Sequence, residues 1–407
     1  MPMPYINSLK RKAADKSNIS LRIAILGHKR IPSYEGGIEA VVGELATRLV
    51  KNGHYVTVYN RKNHRHINSL VHNSEISADE YKGVKLKSVF TIDFKGLAAM
   101  SSSFFGAIRC AFGRYDVVHF HAEGPCAMLW LPHLVGKRTV ATIHGLDHKR
   151  AKWGRFASAY IMLGEKTAVK YADEIIVLSE NLKNYFQDTY GRKTCFIPNG
   201  VGWQEYRKPK LISENYSLHK DDYFLFLGRI VPEKGLRYLI SAFQNVHTEK
   251  KLVIAGGASD TEDFYNEVRN IAKTDNRILF TGFVQGEMWK ELLSNAYVYV
   301  LPSDLEGMPL SLLEAMSFGN CCVTSDIPEC AEVVEDKAIL FQAGNVCDLT
   351  HKLQKLSDHP EIAAKYKENA AEYICRKYNW DKTVLQTIDI YENSLNSTQH
   401  KDKGAVL

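Results

Sequence analysis

No window of the 407-residue chain holds about 20 uninterrupted apolar residues, which excludes a helix that spans a bilayer. Residues 1–20 lack an apolar core followed by a cleavage site, so no signal peptide is expected. The eight cysteines, at 110, 126, 195, 321, 322, 330, 347 and 375, form no C-x-x-C pair. They therefore suggest small core residues in a reducing cytoplasm and no zinc site. Net positive charge is missing from the second half. Residues 1–200 carry 29 Lys and Arg against 16 Asp and Glu, net +13, and the remainder carries 23 against 30, net −7. A basic half without a recognisable binding module argues against a nucleic-acid partner and fits a surface that rests on anionic lipid.

What the chain does have is one repeated pattern: short β-branched and aromatic runs alternating with helical stretches. In the first half the spacing predicts strands near 21–27, 55–61, 84–90, 116–121, 138–144, 174–179 and 194–198, separated by helices such as 37–52 and 155–172. In the second it predicts strands near 223–228, 251–256, 277–283, 297–302, 321–325 and 338–342. Short apolar strands with helical crossovers imply α/β architecture with parallel, doubly wound sheets. The length suits two domains of about 200 residues each. The polar, weakly patterned stretch 202–222, with Pro209, reads as the linker. A last segment, WDKTVLQTIDIYENSL, has apolar positions at helical spacing, while residues 1–17 and 396–407 read as polar ends without core pattern.

Two stretches of the second half carry chemistry. YVYVLPS (297–303) reads as a buried strand that delivers the chain to Glu306. A helix is predicted to start near Pro309, since proline suits a first helical position. The turn through Gly307, Met308 and Pro309, with the free amides at that helix end, then makes a ready anion site. Five residues at about 1.5 Å rise put Glu314 roughly 7–8 Å along the axis, comparable to the distance from a diphosphate to ribose hydroxyls. Glu306, on the loop before the helix, faces the other side of the diphosphate. This suits a nucleoside diphosphate carrying a sugar. YFLFLGRIVPEKGL (223–236) repeats the design as strand, glycine, then Arg229 and Lys234. Arg as a planar fork and Lys as a point charge can grip a diphosphate, each contact being worth about 1.5–3 kcal/mol. They count for more as charge accumulates on a departing diphosphate. In the first half, Gly36 and Gly37 stand where a backbone must come close to a ligand or take positive φ. His144 ends a continuous apolar run, at the carboxyl edge of a parallel sheet. There it could bond a sugar hydroxyl or help manage an acceptor proton.

Together these residues resemble the GT-B glycosyltransferases, and within them the large retaining family four. The resemblance runs from Leu21 to about Tyr391 and rests on Gly36 and Gly37 in IPSYEGGIEAVVGELATRL, His144 in VATIHGLD, Asn199 and Gly200 in FIPNGV, Arg229 with Lys234, and Glu306 with Glu314. It implies two Rossmann-like domains facing across a cleft: an acceptor-binding domain at 18–205, a nucleotide-sugar domain at 206–375, and a segment at 376–395 returning to the first domain as a helix. It further implies that Arg229 and Lys234 hold the diphosphate and Glu314 the ribose. Glu306 contacts the transferred sugar, His144 lies beside the reacting sugar, and the Gly36–Gly37 amides approach the phosphates or the acceptor. No metal is implied, and retention of configuration is. Asp304 and Glu306 form a D-x-E that resembles the metal motif of the other glycosyltransferase fold, but that fold lacks the second sheet and the paired cations. UDP is the nucleotide expected, with GDP and dTDP open, because Asn320, Cys321 and Cys322, and the missing glycine near Ile327–Pro328–Glu329, depart from the family pattern.

GHKRIPSYEGGIEAVV further resembles bacterial enzymes of capsule or exopolysaccharide assembly, including rhamnosyltransferases, whose acceptors are often polyprenyl-diphosphate-linked sugars. The acceptor expected is thus a lipid-linked or other glycan, met at the inner face of the cell membrane through residues 96–115, with Phe104, Phe105, Arg109, Phe112 and Arg114, and 148–156, with Lys149, Arg150, Lys152, Trp153 and Arg155. Two other readings share the motifs. A GT-B nucleotide-sugar epimerase would use the same clamp without an acceptor, and a noncatalytic partner subunit would keep the fold while losing the clamp.

Overall fold

The computed structural model describes residues 20–402 apart from 34–35, 63–75, 78, 95, 150–152 and 260. Its first sheet comprises β1 (Arg22–Leu26), β2 (Tyr55–Arg61), β3 (Ile76–Ser77), β4 (Glu80–Tyr81), β5 (Val84–Val89), β6 (Val117–His121), β7 (Arg138–Ile143), β8 (Glu174–Val177) and β9 (Cys195–Phe196), in the order β3-β4-β5-β2-β1-β6-β7-β8-β9. The second comprises β10 (Tyr223–Leu227), β11 (Lys251–Ala255), β12 (Ile278–Gly282), β13 (Val298–Leu301), β14 (Cys321–Ser325) and β15 (Ile339–Phe341), in the order β12-β11-β10-β13-β14-β15. Every strand that spacing predicts is present, and the predicted strands pair in parallel. The antiparallel pair β3–β4, added at one edge, went unread because two-residue strands are too short to show a period.

Parallel strands covered on both faces are mostly apolar; β6 and β7 are buried at every position, and the polar residues they carry, among them His119, His121 and Thr142, are bonded inside the protein. In the first domain alternate residues of β1 feed different layers: Ile23 and Ile25 join one core, Ala24 and Leu26 the other. That is the two-residue side-chain period of a strand. A single larger core surrounds the second sheet. It takes in Ile212 and Leu218, from within the stretch read as linker, and Ala363, Ala370, Ile374 and Cys375 from the helix Pro360–Lys377.

The chain then returns. After a break at Asn379, whose Oδ1 accepts from the Asp381 amide at 2.8 Å, the helix Trp380–Asp402 crosses to the first domain. Val384, Ile388 and Tyr391 enter the first core, and Arg138 Nη2 donates to the Ile390 carbonyl at 2.6 Å. Tyr391 Oη lies 2.7 Å from Nδ1 of His119, a wholly buried residue of β6. The other ring nitrogen, Nε2, is 2.7 Å from Thr142 Oγ1. Burial pushes the His119 ring down to about 3, so it is neutral at physiological pH and both its nitrogens are satisfied. Tyr391→Phe leaves one of them buried without a partner and should lower stability by about 1–3 kcal/mol, read as a shifted urea midpoint with an unchanged slope.

Candidate active site

Strand order switches direction between β1 and β6 in the first sheet and between β10 and β13 in the second. Ligands of open parallel sheets bind beyond the strand carboxyl ends at such points. Gly228 and Arg229 leave β10 there, residues 302–306 leave β13, and His144 and Gly145 leave the neighbouring β7.

In the second domain, two turns are drawn together by backbone. Residues Pro232–Lys234 form one turn of 3₁₀ helix closed by Gly235 at φ +67°. A Cβ at Gly235 would collide with the Pro302 carbonyl, so only glycine allows this approach. The Asp304 amide donates to the Glu233 carbonyl at 2.9 Å and fastens the same two turns. Their side chains consequently meet: Lys234 Nζ lies 2.5 Å from Glu306 Oε1, which also accepts from Ser303 Oγ at 2.7 Å. Both partners are nearly buried, their side chains 12% and 9% exposed. The sequence reading put Lys234 on the diphosphate and Glu306 on the sugar; here each holds the other in place. Arg229 is partly exposed and pairs with no carboxylate among the described residues.

Pro309 is the cap residue, one position earlier than expected, and the helix it opens is Leu310–Ser317. Glu314 lies on this helix and is partly exposed. Loss of water around its carboxyl nevertheless raises its pKa to about 7. Met308 was expected to serve through its backbone. Its sulfur also accepts from the Asn199 amide of the first domain at 3.1 Å.

The two domains touch at the same place. A Cβ on Gly307 would collide with the His144 carbonyl, and one on Gly145, at φ +149°, would sit 3.1 Å from the Gly307 Cα. His144 and Glu306 are thereby brought to either side of one backbone contact. Gly36 and Gly37 come close to it too, because a Cβ on Gly37 would lie 3.3 Å from Leu310 Cδ1. Of the two reasons offered for this pair, positive φ does not apply: Gly36 is extended at φ −152° and caps the helix Gly37–Lys51. Glu39 in the first turn of that helix accepts from the Lys29 amide at 2.9 Å. Tyr34 and Glu35 lie outside the described residues.

Sequence reasoning missed the group behind His144. His121 Nδ1 stands 3.0 Å from His144 Nε2, and the His119 and His121 rings stack at 4.2 Å. Burial, and then the neighbouring imidazoles, hold the His121 ring well below its ordinary range, so it is neutral. The bond commits Nε2 of His144 to His121 and leaves its other ring nitrogen, Nδ1, for other partners, with the tautomer of the pair deciding which side donates. A signal existed: VVHFH puts two histidines on one face of an otherwise apolar strand.

The environment of Glu314 has a measurable consequence. On the expectation that Glu314 takes the ribose of a uridine nucleotide, its carboxylate accepts two hydroxyls only when ionised, so affinity for UDP should rise as pH increases through about 7 and fall below it. Glu314→Gln should flatten that dependence. Calorimetric titration of both proteins from about pH 6 to 8 checks it, the variant correcting for titration of the nucleotide itself.

Comparison with known families agrees with this geometry. A model described as Glycosyltransferase Family 4 matches residues 35–202, and one described as Glycosyl transferases group 1 matches residues 208–373. The chain is 25% identical over 410 aligned positions to an uncharacterized glycosyltransferase, MJ1607, of Methanocaldococcus jannaschii, covering 91% of this chain and 98% of that protein. Among solved structures, it is similar to a sucrose-phosphate synthase from Thermosynechococcus elongatus, with a TM-score of 0.75, 20% identity, and coverage of 93% of this chain and 100% of the other. It is also similar to Anabaena Alr3699/HepE in complex with UDP-glucose, with a TM-score of 0.73, 15% identity, and coverage of 93% and 100%. With one glycosyltransferase model on each doubly wound sheet, at residues 35–202 and 208–373, the chain belongs to the GT-B glycosyltransferases.

Proposed function

We propose that this glycosyltransferase moves a sugar from a UDP-sugar to a hydroxyl of a polyprenyl-diphosphate-linked or other glycan, in capsule or exopolysaccharide synthesis. The observation that carries the donor reading is the conjunction of Lys234, Glu306 and Gly307 with His144 across one backbone contact. Arg229 and Lys234 grip the diphosphate, with the amides after Pro309 beside them, and these donors absorb charge as the bond from sugar to diphosphate breaks. Glu314 takes the ribose hydroxyls, and Glu306, shared with Lys234, faces the sugar. The acceptor oxygen attacks from the face the diphosphate leaves, its proton passes to the departing phosphate oxygen, and configuration is retained. UDP as the nucleotide is supported by the similar fold solved with UDP-glucose. No metal is assigned to the diphosphate: Asp304 accepts from Tyr238 Oη at 3.2 Å and Glu306 holds Lys234, so the D-x-E carboxylates are engaged separately.

The acceptor class rests on the sequence resemblance and on one surface. No helix of the described residues is long and apolar enough to cross a membrane. The helix Leu97–Phe112 and the loop before it instead leave Phe90, Phe94, Phe104, Phe105 and Phe112 exposed, Phe112 to 84%. Arg109 and Arg114 are exposed beside them. Aromatic wedges flanked by cations suit the headgroup region of an anionic membrane, each cation contributing about 1 kcal/mol. Of the second basic segment, Phe156 is 75% exposed, and Arg150 and Lys152 lie outside the described residues. This surface supports the proposed contact with a membrane; the cytoplasmic face is proposed on the sequence resemblance alone.

Two outcomes test this reading. UDP should raise the melting temperature by mass action, with an affinity indifferent to added Mg²⁺ or Mn²⁺. Lys234→Ala should lose that shift and slow transfer on the order of a hundredfold or more with unchanged circular dichroism. Strict dependence of UDP binding on manganese would overturn the metal-free donor site, and a shift with GDP or dTDP alone would reassign the base. Separately, the protein should co-sediment with phosphatidylglycerol vesicles at low salt but not with phosphatidylcholine vesicles. Phe104→Ser with Phe112→Ser should release it; binding that is absent at every salt concentration would remove the membrane contact.

A further inference from the structure

Beyond the carboxyl ends of β6 and β7, the first domain buries a cluster to which the proposed transfer assigns no role. Glu123 and Glu165 are wholly buried and His148 nearly so, its side chain 11% exposed. One donor atom from each lies within 4.8 Å of the others. Gly164 makes the meeting possible, because a Cβ there would collide with the Glu123 carbonyl and keep the helix Arg155–Tyr171 away from the turn Glu123–Cys126. We propose that Glu123, His148 and Glu165 form a binding site for one divalent transition-metal ion, of the zinc class, that pins the loop following His144.

The spacing of the donors points to an ion. His148 Nδ1 lies 3.3 Å from Glu165 Oε2 and 3.6 Å from Glu123 Oε1, too long or too poorly aligned for hydrogen bonds. Ligands about 2.0–2.2 Å from a shared tetrahedral ion stand roughly 3.3–3.6 Å from one another. Both Glu123 oxygens, Glu165 Oε2 and His148 Nδ1 lack a hydrogen bond of sound geometry among the described residues, while the Glu165 carboxyl and the Asp147 backbone bear on Glu123. Unpaired buried carboxylates are costly, and one divalent cation neutralises both. The remaining oxygen of Glu165, Oε1, accepts from Tyr185 Oη at 2.9 Å and Tyr190 Oη at 2.5 Å, which turns Oε2 toward His148. Hydroxyls that orient a ligating carboxylate in this way are a regular feature of metal centres. Two carboxylates and an imidazole suit zinc or a neighbouring first-row ion better than magnesium or calcium, which take oxygen shells. His148 lies in the turn Asp147–Lys149, four positions after His144. An ion there would hold the loop whose first residues meet Gly307, without touching the diphosphate.

Protein purified without a histidine tag or chelator should carry about one ion per chain by mass spectrometry of the metal. After stripping, Zn²⁺ should rebind with one-to-one stoichiometry and raise the melting temperature, and Co²⁺ should give the visible absorption of a low-symmetry site. Glu123→Gln and His148→Ala should bind neither ion, and Tyr190→Phe should weaken binding on the order of tenfold. The competing outcome is a shared proton, since burial pushes the Glu123 carboxyl up to about 10 in the absence of a cation. In that case wild type takes up no Zn²⁺, Glu123→Gln is as stable or more so, and the proposal is overturned. If a variant does not fold, the ion content and Zn²⁺ titration of the wild type still decide. UDP affinity, which reports the donor site, is read separately.

Discussion

The site depends on one close approach of two backbones. Residues 144–145, at the end of a first-domain strand, meet residues 306–307, on the loop that follows a second-domain strand, and no side chain fits between them. Because this contact is made by main chain, its geometry is set by the strands and not by rotamers. His144 and Glu306 are therefore carried by the two segments that make this contact, each with little freedom of its backbone. A larger residue at either glycine would separate the reactive groups before affecting either core.

Around this contact the two domains contribute opposite electrostatics. The first supplies neutral groups: His28, His119 and His121 are buried, and burial lowers the pKa of each, His28 to about 4. The second supplies the charges, with Lys234 paired to Glu306 and Arg229 on the turn that follows β10. The Lys234–Glu306 pair also avoids leaving either charge alone in a poorly hydrated place before the donor arrives.

The helix Trp380–Asp402 connects this chemistry to the fold. Through Tyr391 it completes the hydrogen bonding of His119, which stacks on His121, which in turn bonds His144. Additional contacts join the domains away from the site, including Asn181 Nδ2 to Glu329 Oε1 at 2.8 Å and the Glu180 amide to Glu332. The position of His144 is consequently tied both to the docking of the last helix and to the seating of the domains on each other.

Much of this was legible in one dimension. Strand positions, two parallel sheets, a last amphipathic helix and the elements that carry Arg229, Lys234, Glu306 and Glu314 follow from local pattern, because hydrophobic period and turn chemistry act over a few residues; that the last helix returns to the first domain came only from the family resemblance. The antiparallel edge pair was too short to register, and the cap at Pro309 moved by one position, as helix ends do. What only the tertiary structure decided are the relations between distant segments: Lys234 with Glu306 across 72 positions, His121 with His144, and Glu123 with His148 and Glu165. These meetings depend on strand order and on glycines that let backbones touch, and strand order is a property of the whole sheet. Local sequence specifies which residues stand at the strand ends; packing of one domain against the other chooses which of those ends face one another.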